Sequence, residues 1–136
     1  FVDDMVVVAA PHFNGGRLPG TPAEIIAAPL IRSVESWSHW LNAAGLPDMA
    51  LSGPVYTDSN LVLEALRQGQ GVALTRRSLV HDSVRRGELV QLSPIAVPHQ
   101  NPYWLIWPMR SHGTAKLVAF NEWLKAEVVS YLAQIR

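Results

Sequence analysis

The sequence predicts an α/β domain in which a mixed, mostly parallel sheet is flanked by helices. Residues 5–10 form a continuous apolar run, which is typical of a strand buried on both faces. Three predicted helices end in a glycine, at Gly45, Gly69 and Gly87, and a strand pattern follows each of them. Residues 56–77 combine the end of a strand, a helix and a second strand, and such a β-α-β unit implies parallel strands.

The first helix has a compact start signal. Thr21 is placed to cap it, Pro22 suits the first helical position, and Glu24 can complete a capping box. Pro29 ends this helix early, because proline disfavours the helical conformation in the residue before it. Residues 30–32 then begin the next strand.

A second helix is predicted over residues 37–44, with Trp37, Trp40 and Leu41 on one side of it. Residues 50–57 are strand-like, and Pro54 indicates an edge position or a late start, since proline cannot donate to a strand ladder.

The helix of the β-α-β unit begins near Asp58 or Ser59, either of which can accept a hydrogen bond from its first turn. Gly69 ends it in the left-handed conformation that glycine reaches without steric cost. Residues 71–74 have the apolar character of a buried strand.

The apolar arc of this same helix is unusually wide. Leu63 lies off the face formed by Leu61, Val62, Ala65 and Leu66, so one side should cover the sheet and the other a second domain or subunit. A single exposed leucine on an ordinary surface is the alternative.

The next helix is predicted to start at Ser78 and end at Gly87, and residues 88–92 alternate as a strand does. Residues 93–102 contain three prolines and are interpreted as an extended crossing segment. Residues 103–107 predict a further strand, and the chain is helical from residue 114 to its end. The apolar stripe of this last helix needs a partner surface; it consists of Leu117, Phe120, Leu124, Val128, Tyr131 and Ile135.

Composition excludes several classes of function. The 136 residues carry a formal net charge of zero, so this piece is not expected to hold nucleic acid by itself. The absence of cysteine excludes disulfides and thiolate metal sites. No apolar run approaches the length of a membrane span, and we expect a cytoplasmic protein. Because the sequence enters a buried-looking strand almost at once, without an initiator methionine, we expect a fragment of a longer protein.

No catalytic motif is present, and the five histidines show no paired metal-ligand spacing. We therefore predict no catalytic residues, no metal and no cofactor.

Polar residues follow three predicted strands where helices begin, which is where α/β proteins bind ligands. The three sets are Ser33, Glu35, Ser36 and Trp37; Thr57, Asp58, Ser59 and Asn60; and Thr75, Arg76, Arg77 and Ser78. Each set has a structural alternative. Ser36, Asp58 and Ser78 can serve as helix caps, Trp37 can belong to the core, and the two arginines can form a solvated pair.

The ordered set of motifs resembles the effector-binding domain of LysR-type transcriptional regulators, in the branch of the glycine-cleavage and β-lactamase activators. The residues that carry the resemblance are 5–11, 21–24, 29–31, 40–41, 43–47, 56–59, 69–74, 76–80, 87–90, 103–105 and 120–124.

This resemblance implies a periplasmic-binding-protein-like (type 2) fold of two α/β subdomains with a ligand cleft between them. Residues 9–93 would form the second subdomain, 94–102 the crossing segment, and 103–136 a returning strand and long helix of the first subdomain. The rest of the first subdomain and the DNA-binding helix-turn-helix would lie outside these 136 residues.

The resemblance also implies a ligand-sensing role, in which a small metabolite in the cleft alters the arrangement of a DNA-bound dimer or tetramer. Arg76, Arg77 and two helix N-termini favour an anionic or zwitterionic metabolite. The expected ligand-binding residues are Ser33, Ser36, Trp37, Asp58, Ser59, Arg76 and Tyr103. The expected dimer contacts are Leu61, Leu63 and Leu66. A solute-binding protein or an enzyme on the same two-lobed fold is the alternative.

Overall fold

The computed structural model describes residues 1–135, which divide into two compact units. One unit is Val2–Asn101, and the other combines Phe1 with the chain from Pro102 onward.

A sheet centred on strand β1 (Asp4–Ala9) organises the larger unit. Strand β2 (Ala73–Arg76) pairs along one side of β1, with Met5 opposite Arg76 and Val8 opposite Ala73. The short strands β3 (Val90–Gln91) and β4 (Val97–Pro98) pair with the other side. β4, which lies opposite the start of β1, falls inside the segment expected only to cross between subdomains.

The α/β fold class is confirmed, but the expectation of mostly parallel pairing is wrong for these strands. All three ladders of β1 are antiparallel, and within residues 1–135 parallel pairing is confined to two isolated bridges, Leu30–Val72 and Arg32–Val55. The two strand segments of the predicted β-α-β unit are thus separated by residues 30–32, which bridge to both. Whether the strands pair in parallel or antiparallel could not be predicted from sequence, because a buried strand has the same continuous apolar run in both cases.

Helices cover both faces of the sheet. Met5, Val7 and Ala9 face α1 (Pro22–Ala27) and α2 (Ser38–Ala43). Alternate residues of β1 face α3 (Ser59–Arg67) and α4 (Arg77–Arg85). The strand is therefore buried on both sides, as its unbroken apolar run predicts.

Local signals set the start of α1 and the end of α3 as predicted. Glu24 N donates to Thr21 Oγ1 (3.2 Å), and Glu24 Oε2 accepts from Thr21 N (3.0 Å), which completes the capping box. Hydrogen bonds from the Gly20 and Thr21 amides lower the pKa of Glu24. Gly69 has φ of +70°, the left-handed value expected where α3 stops.

The smaller unit contains helix α5 (Ala115–Gln134), which confirms the predicted C-terminal helix. The strand predicted over residues 103–107 is wrong, because these residues have no regular secondary structure. Phe1 and Tyr103 exchange a pair of backbone hydrogen bonds at 3.0 and 2.8 Å, but residues 104–107 do not continue the pairing. A strand pattern becomes a strand only where a neighbouring backbone supplies a ladder.

Candidate functional site

The three polar sets lie at one edge of the larger unit. The parallel bridges align residues 30–33, 55–57 and 72–75, so their carboxyl ends point the same way. The polar edge therefore comprises residues 33–37, 57–60 and 75–78. Because β1 runs antiparallel to β2, the start of β1 reaches this edge too.

An ion-pair network joins two of these sets to the segment after β4. His99 Nε2 lies 2.6 Å from Glu35 Oε2, and Arg76 Nε lies 3.5 Å from Glu35 Oε1. Arg76 Nη2 is 3.2 Å from His99 Nε2. Asn101 N donates to His99 Nδ1 at 2.9 Å, and the same ring nitrogen lies 3.0 Å from Asn101 O.

The members of this network are largely shielded from solvent. The side chains of His99, Arg76 and Glu35 are 6%, 19% and 26% exposed. Arg76 is consequently one half of an ion pair between segments distant in sequence, and not part of a solvated arginine pair. Arg77 lies 3.8 Å from Asp4, so it is paired separately.

Sequence reasoning missed His99 and gave no role to Asp3. His99 was one of five scattered histidines, and only the pairing of β4 with β1 brings it to Glu35. Its backbone N donates to Asp3 O at 2.7 Å. No local pattern encodes that contact.

Two small cavities adjoin the network. One, of about 190 Å³, is lined by Glu35, Ser36, His39, His99 and Gln100 among others. The second, of about 210 Å³, is lined by Arg32, Ser33, Glu35, Ser36 and Trp37 together with residues 49–51 and Ser38. Glu35 and Ser36 line both, so three of the predicted ligand residues, Ser33, Ser36 and Trp37, border cavities at the polar edge.

These three residues also have structural roles. Ser33 Oγ accepts from Glu35 N at 3.1 Å, and Ser36 Oγ accepts from Ser38 N at 3.2 Å in the first turn of α2. Trp37 is buried and packs edge-on against Trp40, with ring centroids 5.6 Å apart. Trp37 holds the N-cap position of α2 without a side-chain capping bond, so the expectation that Ser36 caps this helix is wrong. Local turn bonds or packing therefore coexist with a position beside a cavity.

Asp58 caps α3, since its Oδ1 accepts from Asn60 N at 2.7 Å. Ser59 is the first residue of that helix and is exposed. Both lie at the polar edge by register.

The expectation that Ser78 caps its helix is wrong. α4 begins at Arg77, with Arg76 in the capping position, and Ser78 Oγ donates to Asp3 Oδ2 at 2.5 Å. The buried Asp3 carboxylate also accepts from Ser78 N, at 3.3 Å to Oδ1. An internal carboxylate therefore already occupies the positive end of α4, which removes that helix end as a site for a ligand anion.

Tyr103 belongs to the smaller unit. Its ring packs on Phe1 with centroids 5.1 Å apart, and it lines a mainly apolar cavity of about 600 Å³ with Trp104, Leu124 and Val128 among others.

The dimer-contact expectation for α3 is corrected in two of its three residues. Leu66 is 0% and Leu63 9% exposed, because both face the core beside β1, whereas Leu61 is 54% exposed. A side chain inside the core cannot also contact another subunit directly. Leu61 alone keeps an outward position.

A larger depression of about 550 Å³ lies between the loop after β1 and α1, and its lining includes Phe13, Asn14, Leu18 and Glu24. It is at the edge opposite the polar edge, because β1 ends there. The Glu24 carboxylate in this lining already accepts hydrogen bonds from the backbone amides of Gly20 and Thr21, just before α1.

Within residues 1–135, no group of three or more histidine, aspartate or glutamate side chains is arranged to hold a metal ion. No helix in this part of the chain is both long and apolar enough to cross a membrane.

The family model of the LysR substrate binding domain matches residues 1–129. Among curated proteins, the HTH-type transcriptional activator AmpR of Pseudomonas aeruginosa is 35% identical over 113 residues, which are 76% of this chain and 36% of the relative. AmpR of Rhodobacter capsulatus is 32% identical over 78% of this chain and 37% of its own length. The glycine cleavage system transcriptional activator of Escherichia coli is 24% identical over 100% of this chain and 46% of its own length.

Solved structures show the same likeness. The effector domain of AmpR from Pseudomonas aeruginosa has a TM-score of 0.80 and 28% identity, covering 100% of this chain and 67% of that chain. The AmpR effector binding domain of Citrobacter freundii has a TM-score of 0.77 at 23% identity, covering 95% of this chain and 66% of that chain.

Proposed function

We propose a function for this chain from the premise that it belongs to the family of LysR substrate binding domains: it senses a small metabolite at the polar edge for a transcription regulator. Its curated relatives named above are transcriptional activators and not enzymes. The chain spans between 36% and 46% of the length of those relatives.

The convergence of the three polar sets is the observation that carries this proposal. Three segments aligned by parallel bridges end at one edge, and the first of them lines two cavities that share Glu35 and Ser36. Ligands of open α/β sheets bind outside the carboxyl ends of parallel strands, where helix N-termini and polar side chains meet. Ser33, Ser36, Trp37, Asp58, Ser59 and Arg76 are the proposed ligand residues of this unit. Tyr103 of the smaller unit is proposed separately as a ligand residue.

An anionic or zwitterionic metabolite suits this edge, because the Arg76 guanidinium lies there; the Asp58 carboxylate already caps the start of α3. Effector binding would then change the population of two arrangements of the whole regulator through its different affinity for each. We further propose that the regulator self-associates as a dimer or tetramer, with Leu61 at a contact. DNA binding by a helix-turn-helix outside this chain, and action in the cytoplasm, complete the proposal.

Thermal unfolding of the purified chain against a metabolite panel tests the sensing role. A ligand that binds only the native state raises Tm by mass action. We expect at least one metabolite to raise Tm, and its amide shift changes to map to residues 33–37, 57–60 and 75–78. A ligand that maps instead to the depression near Phe13, or a panel without any shift, would reject the polar edge as the sensing site.

The double substitution Asp58→Ala with Ser59→Ala should abolish the Tm response while the fold is retained. Loss of the Asp58 cap lowers stability by about 0.5–2 kcal/mol, so a matched control must lose a cap elsewhere. Thr21→Ala does so at the opposite edge of the sheet and should keep the full response. An unchanged response in the double variant would reduce Asp58 and Ser59 to structural caps.

A further inference from the structure

Glu35 stands at the meeting point of the two cavities of the polar edge. Its side chain is a quarter exposed, and it lines both cavities together with Ser36. His99, which is nearly buried, fixes Oε2 through a 2.6 Å hydrogen bond. The carboxylate is therefore held at the surface that a ligand entering either cavity would meet.

The ion pair between Glu35 and Arg76 is a long one. The contact from Arg76 Nε to Glu35 Oε1 is 3.5 Å, whereas a close charge-assisted bond measures about 2.7–2.9 Å. Arg76 itself lines neither of the two cavities. An incoming carboxylate would thus approach a negative oxygen at short range, and in a partly desolvated site that repulsion is weakly screened.

A ligand group that carries a positive charge is attracted to Glu35 instead of being repelled. An ammonium beside Glu35 gains a charge-assisted hydrogen bond, and a carboxylate on the same molecule is then left to the hydroxyl, amide and guanidinium donors of the edge. Specificity arises here from rejecting the wrong charge as much as from attracting the right one.

We propose that Glu35 is a specificity-determining residue of the polar edge, which admits ligand groups bearing an ammonium and rejects groups bearing only negative charge. This inference rests on the proposed function and narrows the ligand class from anionic or zwitterionic to zwitterionic. His99 acts as a positioning residue that holds the Glu35 carboxylate toward the cavities.

The test compares L-alanine with propionate, which is the same three-carbon acid without the ammonium. Each probe is titrated into the purified chain while the amide resonances of Glu35, Ser36 and Arg76 are followed by NMR. In the wild type we expect alanine to bind at least about tenfold more tightly than propionate, a difference that one well-placed ion pair can supply. In Glu35→Gln, which keeps the shape and the acceptor for His99, the ratio should fall toward one.

Two further variants separate the charge of Glu35 from other effects. Glu35→Asp retains the charge and should retain the preference for alanine. Glu64→Gln makes the same change in net charge on α3, where Glu64 accepts a local bond from Gln68, and should also retain the preference for alanine. The amide spectrum of each variant verifies that it is folded.

The inference is overturned if Glu35→Gln keeps the wild-type ratio, or if wild-type protein binds propionate as tightly as alanine. Equal binding of propionate and alanine by the wild type overturns the inference even if Glu35→Gln does not fold. If a panel metabolite maps to the polar edge while the ratio fails to depend on Glu35, sensing stands and this inference falls. If neither the probes nor the panel perturb the edge, both fall.

Discussion

The two units of the chain use similar apolar side chains with opposite outcomes. In the larger unit, Trp40 is 0% exposed between α2 and the sheet. In the smaller unit, Trp123 is 55% exposed on α5, and none of the described residues of that helix is buried. The difference teaches that a helical apolar pattern specifies a helix, whereas burial requires a second layer facing it.

The largest expected effect comes from truncating the two tryptophans. Trp40→Ala should destabilise the chain by about 3–5 kcal/mol, because it empties the centre of a packed core. Trp123→Ala should change the free energy of unfolding by about 0.5 kcal/mol or less, as surface substitutions do. Urea unfolding of both variants measures the contrast. Equal losses would mean that α5 is packed in solution, in which case the comparison between the units would not hold.

The close approach of chain segments in the larger unit gives the second test. A Cβ at Gly71 would lie 2.5 Å from Pro29 O, beside the parallel bridge whose hydrogen bond joins Val72 N to the same oxygen at 2.9 Å. Gly71→Ala should therefore cost about 1–3 kcal/mol through forced displacement of that backbone.

Gly20→Ala is the matched control, since a Cβ there meets its nearest neighbour, Glu24 Oε2, at 3.7 Å. It should be close to neutral in the same unfolding experiment. If Gly71→Ala left the free energy of unfolding unchanged, residues 29 and 71 would separate easily. The pairing that aligns the polar edge would then be displaced at little cost.

The helix caps of the two units provide a test with a smaller expected effect. Thr21→Ala removes the hydrogen bond from Glu24 N at the start of α1 and should cost about 1 kcal/mol. Thr114 precedes α5 without a side-chain capping bond, and its hydroxyl donates instead to Ser111 O at 2.8 Å in an exposed turn, so Thr114→Ala should cost less. Thermal unfolding monitored by circular dichroism compares them. A larger loss for Thr114→Ala would contradict the capping assignment.

The smallest expected effect is a pH dependence. Hydrogen bonds from Arg86 and Ser83 lower the pKa of Glu88 from 4.5 to about 2. The unfolded chain therefore binds more protons than the folded chain between these values, and stability should rise with pH across that window. The stabilisation that comes from the lowered pKa of Glu88 is complete above pH 4.5 and is lost as the pH falls through about 2.

Glu88→Gln should flatten this slope slightly, because Glu88 is exposed and its ion pairs are screened by solvent. Denaturant midpoints measured across the acid range for both proteins provide the readout. An unchanged slope would show that the Arg86–Glu88 pair does not persist in solution.

Much of the fold was predictable because its signals are local. The capping box at Thr21, the doubly buried strand of residues 5–10 and the glycine end of α3 all follow from short-range sterics and hydrogen bonding. The three polar sets were predictable for the same reason, since each directly follows a strand and begins a helix.

The partners of these polar groups were not predictable. Ser78 looks like a helix cap in sequence, yet its hydroxyl donates to Asp3, which is 75 residues away. Leu66 fits a dimer stripe, yet it lies inside the core. His99 has no motif, yet it joins Glu35 across 64 residues.

Local sequence signals were sufficient to predict the helices, the central strands β1 and β2, and the polar groups that follow strand ends, but not β4 or the irregular backbone of residues 103–107. Tertiary structure alone decided strand direction, the neighbours of residues 30–32, and the Arg76–Glu35–His99 network. The cause is the separation in sequence over which each kind of interaction acts. Capping, turn and propensity energies act over a few residues, whereas pairing and packing depend on which distant segments the folded chain brings together.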